Sequence, residues 1–270
     1  MAHITTNGVR LHVQRMRPAD PGAPPLVLIH GLLDTMASYY FSIAAAIAGL
    51  GFDVIAYDLR GHGRSERPPR GYRVDDATDD LTGLLTELGV AGPVHLIGFS
   101  WGGTVAFRYA HRFPDGVASL IVIESEPPTV AWADRATDGL RELSAHLSDA
   151  EEIARAELGA LVPAMARRLT SRARELAVAT TLVEDIIDRT GLVDVYPDGW
   201  LRCPLLLIVG GDSRLHSRLD SIVGLLPPCD VVVVPGQHHQ LLAFAPQEVA
   251  AAVLPWLAAR RGALAGAVAP

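Results

Sequence analysis

A serine flanked by glycines is the residue of this sequence best suited to covalent chemistry. The segment Gly98-Phe99-Ser100-Trp101-Gly102 places the Ser100 hydroxyl between two residues that lack side chains. Such a serine can stand on a sharp turn, because glycine lets the flanking backbone segments approach closely. A serine hydroxyl is a poor nucleophile at neutral pH. It needs an imidazole to accept its proton and a carboxylate to orient that imidazole.

The sequence offers more than one partner for each of these two roles. The candidate bases are His238 and His239, and the candidate acids are Glu124, Glu126 and Asp212. All five come shortly after apolar runs that predict strands, and functional groups of open α/β sheets meet at the carboxyl ends of strands. The residues by themselves leave these alternatives open.

Alternating strand and helix patterns predict the elements that must position these groups. Predicted strands cover 26–29, 53–57, 94–99, 120–123, 205–209 and 231–234, and predicted helices cover 37–50, 75–88, 102–112 and 246–260. At the start of the chain, residues 3–6 and 9–16 flank Asn7-Gly8, a pair typical of a β-hairpin turn. The alternation favours the α/β class, with a mainly parallel and doubly wound sheet.

The alternation stops over residues 127–200. This stretch is charged, rich in alanine and without a strand pattern, and it is longer than a crossover connection needs. We expect it to be a helical cap inserted into a core formed by residues 1–126 and 201–270.

Four segments together resemble the α/β-hydrolase superfamily, and the resemblance covers nearly the whole chain. They are the turn around Ser100, His30-Gly31-Leu32-Leu33, the loop 58–65, and Gly236-Gln237-His238-His239 with Pro246 seven residues after His239. That spacing to the proline implies His239 as the base. The resemblance implies Leu32 and Trp101 as the backbone N–H donors of an oxyanion hole, and a structural role for the loop 58–65.

The acid departs from the commoner pattern of this family. An aspartate is common three residues after the glycine that follows the 205–209 run, but Ser213 stands there and Asp212 is one place early. Some members, among them haloalkane dehalogenases and a fungal lactonase group, use a glutamate ten residues after a proline. Glu124 stands ten residues after Pro114. The resemblance therefore implies Glu124 as the acid, with Asp212 as the alternative.

The activity implied by this resemblance is serine hydrolysis of a small to medium ester, lactone or thioester. Haloalkane dehalogenases and epoxide hydrolases carry an aspartate at the nucleophile turn, so Ser100 separates this chain from them. The same residues could serve a thioesterase acting on carrier-protein-bound acyl groups, or an acetate-releasing lyase in natural-product biosynthesis. A ligand-binding receptor with a vestigial triad is the alternative from another class. Candidate substrate-binding aromatics are Tyr39, Tyr40, Trp132 and Trp200.

Composition and charge narrow the partners further. The formal net charge is −7, with 30 acidic residues and 23 basic residues that are all arginine. We expect no nucleic-acid partner, because such a partner requires a basic face. The sequence shows no signal-peptide pattern and no apolar run near the roughly 20 residues that span a bilayer, which predicts a cytoplasmic protein without a membrane partner. We expect no metal and no cofactor, and the oligomeric state is left open.

Overall fold

One eight-stranded sheet organises the protein. The computed structural model describes residues 2–137, 175–176, 179–193 and 195–261. Its strands are β1 (Ala2–Thr6), β2 (Val9–Met16), β3 (Pro25–Ile29), β4 (Asp53–Tyr57), β5 (Val94–Phe99), β6 (Val117–Ile123), β7 (Leu205–Gly210) and β8 (Asp230–Val234). They lie in the order β1-β2-β4-β3-β5-β6-β7-β8. β2 is antiparallel to both of its neighbours, and every pair from β4 to β8 is parallel. The predicted α/β class with a mainly parallel sheet is confirmed.

Helices connect the strands and cover both faces of the sheet. They are α1 (Ala37–Tyr40), α2 (Ala44–Gly49), α3 (Val74–Glu87), α4 (Trp101–Arg112), α5 (Leu182–Ile186), α6 (Leu219–Val223), α7 (Leu241–Phe244) and α8 (Pro246–Ala258). Short 3-10 turns cover Pro114–Gly116 and His216–Arg218. Residues 130–137 are helical as well.

The parallel strands β3 to β7 are buried on both faces, as their continuous apolar runs predict, whereas the edge strand β8 is largely exposed. Within β3, Val27 and Ile29 belong to one core cluster, and Leu26 and Leu28 belong to a second cluster on the opposite face. Successive side chains of a strand point to opposite faces, so one apolar run supplies both clusters. Helices α3 and α4 pack on the first cluster, and α1, α2 and α8 pack on the second.

The predicted hairpin at the start of the chain is confirmed. Asn7 and Gly8 both have positive φ, at 49° and 73°, and Thr6 pairs directly with Val9. A two-residue turn of this kind requires positive φ at both positions, and asparagine and glycine adopt it most readily.

The helix predicted over residues 37–50 is divided in two. α1 ends at Tyr40, a turn covers residues 41–43, and α2 begins at Ala44. The Ser42 hydroxyl donates to the carbonyl oxygens of Ser38 at 2.7 Å and Tyr39 at 3.3 Å. Local bonds of this kind compete with the helical backbone pattern, which explains why the pattern of apolar residues predicted one helix too few.

The described residues show only the ends of the predicted cap. Within the described residues, one isolated parallel bridge joins Thr129 to Val193. Helical residues 130–137 follow Thr129, and α5 precedes Val193. Residues 138–174, 177–178 and 194 lie outside the described part, so the cap and its boundaries at 127 and 200 stay a prediction. No helix within the described ranges is long and apolar enough to cross a membrane.

The strand order brings distant loops to one edge of the sheet. β3 lies between β4 and β5, so the connections from β3 and from β5 leave in opposite directions. Ile29 pairs with Gly98, Phe99 pairs with Ile123, and Ile123 pairs with Ile208. The loops that follow β3, β5, β6 and β7 are therefore neighbours at the carboxyl end of the sheet.

Candidate active site

Ser100 stands on a strained turn between β5 and α4. Its backbone has φ 51° and ψ −122°, and its N–H donates to the carbonyl of Ile123 at 2.9 Å. A non-glycine residue with positive φ is strained, by about 1–3 kcal/mol, and such residues concentrate at functional sites. The turn presents the hydroxyl at the N-terminal end of α4.

Two glycines allow the strand and the helix to meet at this turn. A Cβ at Gly98 would stand 2.5 Å from the Cα of Gly103, and one at Gly102 would stand 2.6 Å from the carbonyl oxygen of His30. Both distances are shorter than any Cβ tolerates, and the opposing atoms are backbone. The spacing of these glycines around Ser100 is thus a steric requirement of the turn.

His239 lies within hydrogen-bond distance of the Ser100 hydroxyl. Its Nε2 is 2.9 Å from Ser100 Oγ, and its ring centroid lies 5.4 Å from that of Phe99. The loop that carries His239 follows β8 and packs on the end of β7, where a Cβ at Gly210 would stand 2.7 Å from the carbonyl oxygen of His238. This close approach brings the imidazole over the turn between β5 and α4.

Glu124 bonds to the other nitrogen of His239. Its Oε2 is 3.1 Å from His239 Nδ1, and its Oε1 accepts the backbone N–H of Gly210 at 2.5 Å. The side chain is wholly buried, and the backbone of Glu124 has φ 52°, a second strained position. Because a carboxylate only accepts, Nδ1 must carry the proton, which leaves Nε2 free to accept the proton of Ser100.

The alternative acids do not reach the imidazole. Asp212 is exposed, and its side chain makes no hydrogen bond within the described part of the chain. Only its backbone takes part, because its carbonyl oxygen lies 2.9 Å from Nδ1 of His238. Glu126 is buried, but two arginines bind its carboxylate: Arg135 and Arg218.

The loop after β3 runs directly beside Ser100. A Cβ at Gly31 would stand 3.2 Å from the Cβ of Ser100. His30 is fully buried. Its Nδ1 donates to the carbonyl of Gly31 at 2.7 Å, and its Nε2 accepts the N–H of Leu59 at 2.9 Å. The carbonyl and N–H of one trans peptide point in opposite directions, so His30 turns the N–H of Leu32 away from its own ring.

Two backbone N–H groups beside Ser100 have no acceptor in the described structure. They belong to Leu32 and to Trp101, the first residue of α4. The first N–H groups of a helix have no partner within the helix, and they favour negative charge. These are the two donors that the resemblance implied for an oxyanion hole.

Internal contacts account for the loop 58–65. The Asp58 carboxylate accepts the backbone N–H groups of Met36 at 3.0 Å and Arg64 at 2.9 Å, and it pairs with His12. Burial lowers the pKa of His62 to about 3, so this imidazole stays neutral, and its Nδ1 donates to the carbonyl of Arg60. These bonds fit the structural role expected for the loop.

The four aromatic candidates for substrate binding divide into two groups. Trp132 is half-buried and stacks on Trp101, with ring centroids 5.8 Å apart, so it lies beside the turn of Ser100. Tyr40 is 37% exposed at the end of α1. Tyr39 is fully buried, and its hydroxyl lies within hydrogen-bond distance of the carbonyls of Ile29 and Ile97, so its role in substrate binding stays a prediction.

Trp200 is also placed away from Ser100. It is buried, stacks on Tyr196 with centroids 4.1 Å apart, and lies 6.0 Å from the ring of Phe107. Phe107 is seven residues beyond Ser100, about 10 Å along α4. Trp200 therefore packs against the second half of this helix, and its role in substrate binding stays a prediction.

Sequence reasoning missed Arg135 and Arg218, and it left Glu126 only as an alternative acid. The two arginines lie far apart in the sequence, and neither belongs to a recognisable motif, so no local signal could have paired them. Groups of three or more His, Cys, Asp or Glu side chains able to hold a metal ion do not occur among the described residues.

Comparisons with known proteins identify the family and the fold of the chain. Residues 24–204 match a family model described as the alpha/beta hydrolase fold. The chain is 34% identical over 139 residues to Epoxide hydrolase B of Mycobacterium tuberculosis, which covers 51% of this chain and 37% of that protein. It is 29% identical over 261 residues to 2-(acetamidomethylene)succinate hydrolase of Mesorhizobium japonicum, which covers 91% of this chain and 92% of that protein.

Solved structures show the same fold. The chain superimposes on a loop variant of a haloalkane dehalogenase from Bradyrhizobium elkanii with a TM-score of 0.75 and 21% identity, over 98% of each chain. Among the sequence relatives named above, the chain spans little more than a third of the length of the Mycobacterium protein and nearly all of the Mesorhizobium protein.

Proposed function

Because the chain belongs to the α/β-hydrolase fold family, we propose that it is a serine hydrolase that cleaves a small to medium ester, lactone or thioester. The observation that carries this proposal is the hydrogen-bonded chain from Ser100 through His239 to Glu124, with contacts of 2.9 Å and 3.1 Å. The reaction proceeds through an acyl-enzyme on Ser100.

The first half of the reaction forms the acyl-enzyme. Ser100 Oγ attacks the substrate carbonyl carbon while His239 Nε2 takes the hydroxyl proton. The carbonyl oxygen becomes an oxyanion and accepts the N–H groups of Leu32 and Trp101; loss of one such donor typically costs about 3 kcal/mol of barrier. The buried carboxylate of Glu124 stabilises the imidazolium. His239 then gives its proton to the leaving alcohol or thiol as the bond to the carbonyl carbon breaks.

The second half releases the acyl group. A water molecule attacks the ester carbon on Ser100, and His239 takes one of its protons. Collapse of the second tetrahedral intermediate returns a proton from His239 to Ser100 and frees the carboxylic acid. The His239 imidazole therefore acts first as a base and then as an acid in each half of the reaction. Both roles use Nε2, and Nδ1 keeps its proton throughout.

The choice of serine argues for acyl chemistry and against epoxide opening. Attack of a serine oxygen on an epoxide carbon would form an ether, which offers water no carbonyl carbon to attack and ends the cycle. Attack on an ester forms another ester, which water can hydrolyse. Epoxide hydrolysis, named in the Mycobacterium relative, is therefore not part of the proposal.

Covalent labelling tests the proposal directly. The parent protein is incubated with a fluorophosphonate, and intact mass is followed with time, alongside Ser100→Ala, His239→Ala and the control His238→Ala. We expect single labelling of the parent and of His238→Ala, none of Ser100→Ala, and labelling of His239→Ala slowed by orders of magnitude. Equal labelling of Ser100→Ala, or none of the folded parent, would refute the proposed nucleophile and bring the receptor alternative forward.

Product analysis separates the related activities. Matched oxoesters and thioesters of one acyl group, free and carrier-bound, are compared by kcat/KM. Products are identified by mass. Hydrolysis gives one acid and one alcohol or thiol per turnover. An alkene together with released acetate, and no alcohol, would replace hydrolysis with elimination.

A further inference from the structure

Two arginines converge on one buried glutamate next to the candidate active site. Arg135 binds Glu126 through two nitrogens: its Nε lies 3.2 Å from Oε1, and its Nη2 contacts Oε2. Arg218 donates from Nη2 to Oε1 at 2.9 Å. The Glu126 side chain is 7% exposed, whereas each arginine side chain is 35% exposed. The arginines therefore lie between the buried carboxylate and the surface.

The elements that carry this cluster also carry the catalytic candidates. Glu126 follows Glu124 by two residues, so their Cα atoms lie at most about 7 Å apart. The carbonyl oxygen of Glu126 accepts the hydroxyl of Thr104 at 3.4 Å, and Thr104 lies one helical turn beyond Ser100. The cluster is therefore anchored to the same strand end and the same helix as the candidate nucleophile.

The two arginines belong to separate segments of the chain. Arg135 lies one turn beyond Trp132 on the helical residues 130–137, and Trp132 stacks on Trp101. Residues at this spacing share one face of a helix. Arg218 ends the 3-10 turn His216–Arg218 in the connection that follows β7.

The cluster has one positive charge more than its own carboxylate neutralises. Two guanidinium groups face one carboxylate, and arginine stays protonated at any pH at which the protein folds. The Nε of Arg218 is buried and has no partner in the described structure, and Nη1 of each arginine likewise donates no hydrogen bond there. An unpaired buried donor is unfavourable. A ligand with a single negative charge would balance the excess charge, and its two oxygens would accept from the Nη1 groups, whereas the buried Nε of Arg218 lies out of its reach.

We propose that Arg135 and Arg218 bind a carboxylate of the substrate, so that the ester cleaved at Ser100 carries a second, anionic end. This inference rests on the proposed serine hydrolase function. A planar guanidinium binds a carboxylate through two parallel N–H···O bonds, which orients the bound group as well as attracting it. Glu126 holds both guanidinium groups in place. The cluster acts on specificity and takes no part in the bond-breaking steps.

Two esters that differ only in charge test the inference. They are the mono-4-nitrophenyl ester of adipic acid and its methyl ester, assayed by nitrophenolate release in the parent, Arg135→Met, Arg218→Met, Arg218→Lys and Arg202→Met. Arg202 is the matched control, because its ion pair with Asp115 at 3.1 Å is exposed. The charged hydrogen bonds predict that the parent prefers the anionic ester about tenfold to a hundredfold in kcat/KM.

The variants locate the effect. Arg218→Met and Arg135→Met should lose this preference, with the larger loss on the anionic ester and mainly in KM. Arg202→Met should keep the parent rates on both esters and the parent rate of fluorophosphonate labelling. Arg218→Lys should retain part of the preference, and Arg202→Met all of it. In a second measurement, adipate should slow labelling of the parent and leave labelling of Arg218→Met unchanged.

The outcomes that overturn the inference differ from those that overturn the function. Hydrolysis of both esters without preference leaves the serine hydrolase standing and removes the carboxylate subsite. Equal losses on both esters, together with a lower unfolding temperature in the arginine variants, would make the cluster an internal brace. Absence of both labelling and hydrolysis would refute the function and the inference together.

Discussion

Replacing Glu124 by glutamine changes the tautomer of His239 without changing the shape of the site. The glutamate accepts two hydrogen bonds, from Gly210 N–H at 2.5 Å and from His239 Nδ1 at 3.1 Å. A glutamine has one acceptor oxygen and one donor NH₂. If the glutamine NH₂ faced the Gly210 N–H, two hydrogen-bond donors would point at each other in a buried site. The amide oxygen therefore faces Gly210, and the NH₂ faces Nδ1 of His239.

The consequence is the wrong tautomer of the base. An NH₂ beside Nδ1 requires that nitrogen to accept, and the ring proton then moves to Nε2. His239 would donate to Ser100 at the 2.9 Å contact, where the reaction needs it to accept. The same exchange of carboxylate for amide in a serine protease lowers kcat about 10⁴-fold. With about 1.36 kcal/mol for each factor of ten, we expect the Glu124→Gln barrier to rise by about 5 kcal/mol.

The assay compares Glu124→Gln with Asp212→Asn. Asp212 is exposed and its carboxylate makes no hydrogen bond in the described structure, so its replacement should change kcat by no more than about twofold, as for an ordinary surface position. Steady-state ester hydrolysis gives kcat, and thermal unfolding shows that both variants fold. If Asp212→Asn loses activity and Glu124→Gln keeps it, the assignment of Glu124 and the tautomer argument are both refuted.

Three further perturbations test the supporting structure. His30→Ala should lower kcat about 100-fold with little change in KM, because the Leu32 N–H loses its orientation. Loss of one oxyanion donor typically lowers kcat by about this factor. An unchanged kcat would contradict this expectation. Gly102→Ala should reduce the free energy of unfolding in urea by about 1–3 kcal/mol, because its Cβ meets backbone. Gly49→Ala is the control, because a Cβ at Gly49 would have no neighbouring atom within 4 Å. Equal stability of the two variants would argue against the steric explanation. Burial lowers the pKa of His95 to about 4, below its unfolded value of about 6.5. The unfolded state therefore gains protons as pH falls, and acidification from pH 7 to pH 5 should remove about 2 kcal/mol of stability through this group. His95→Gln should show a correspondingly smaller loss over that range, and an identical loss would refute the sign.

Most elements of the core follow from local patterns. The hairpin around Asn7-Gly8 and the buried strands were predictable, because turn chemistry and apolar periodicity act over a few neighbouring residues. The break in the helix predicted over 37–50 was not, because it depends on hydroxyl bonds of Ser42 that compete with an otherwise favourable helix. Residues 138–174 of the predicted cap lie outside the described structure, and that part stays a prediction.

The aromatic candidates show that residue type alone does not separate core positions from binding positions. Tyr39 and Trp200 have the size and polarity of ligand-binding side chains, but both are core residues whose polar atoms bond to backbone carbonyls. Aromatic residues contribute to cores and to binding sites for the same reason, their large apolar area. Sequence alone could not separate these uses. Trp132 differs because its ring stacks on Trp101, beside the nucleophile.

The sequence by itself determined the turn that carries Ser100, because the steric need for Gly98 and Gly102 is local and is visible in their spacing. Only the tertiary structure decided which carboxylate meets His239. That choice depends on strand order: β6 lies between β5 and β7, so Glu124 at the end of β6 reaches the imidazole and the Gly210 N–H, while Asp212 points to solvent. Arg218, in the connection after β7, meets Glu126 after β6 for the same reason. Contacts between residues far apart in the chain are set by how strands pair, which local pattern does not encode.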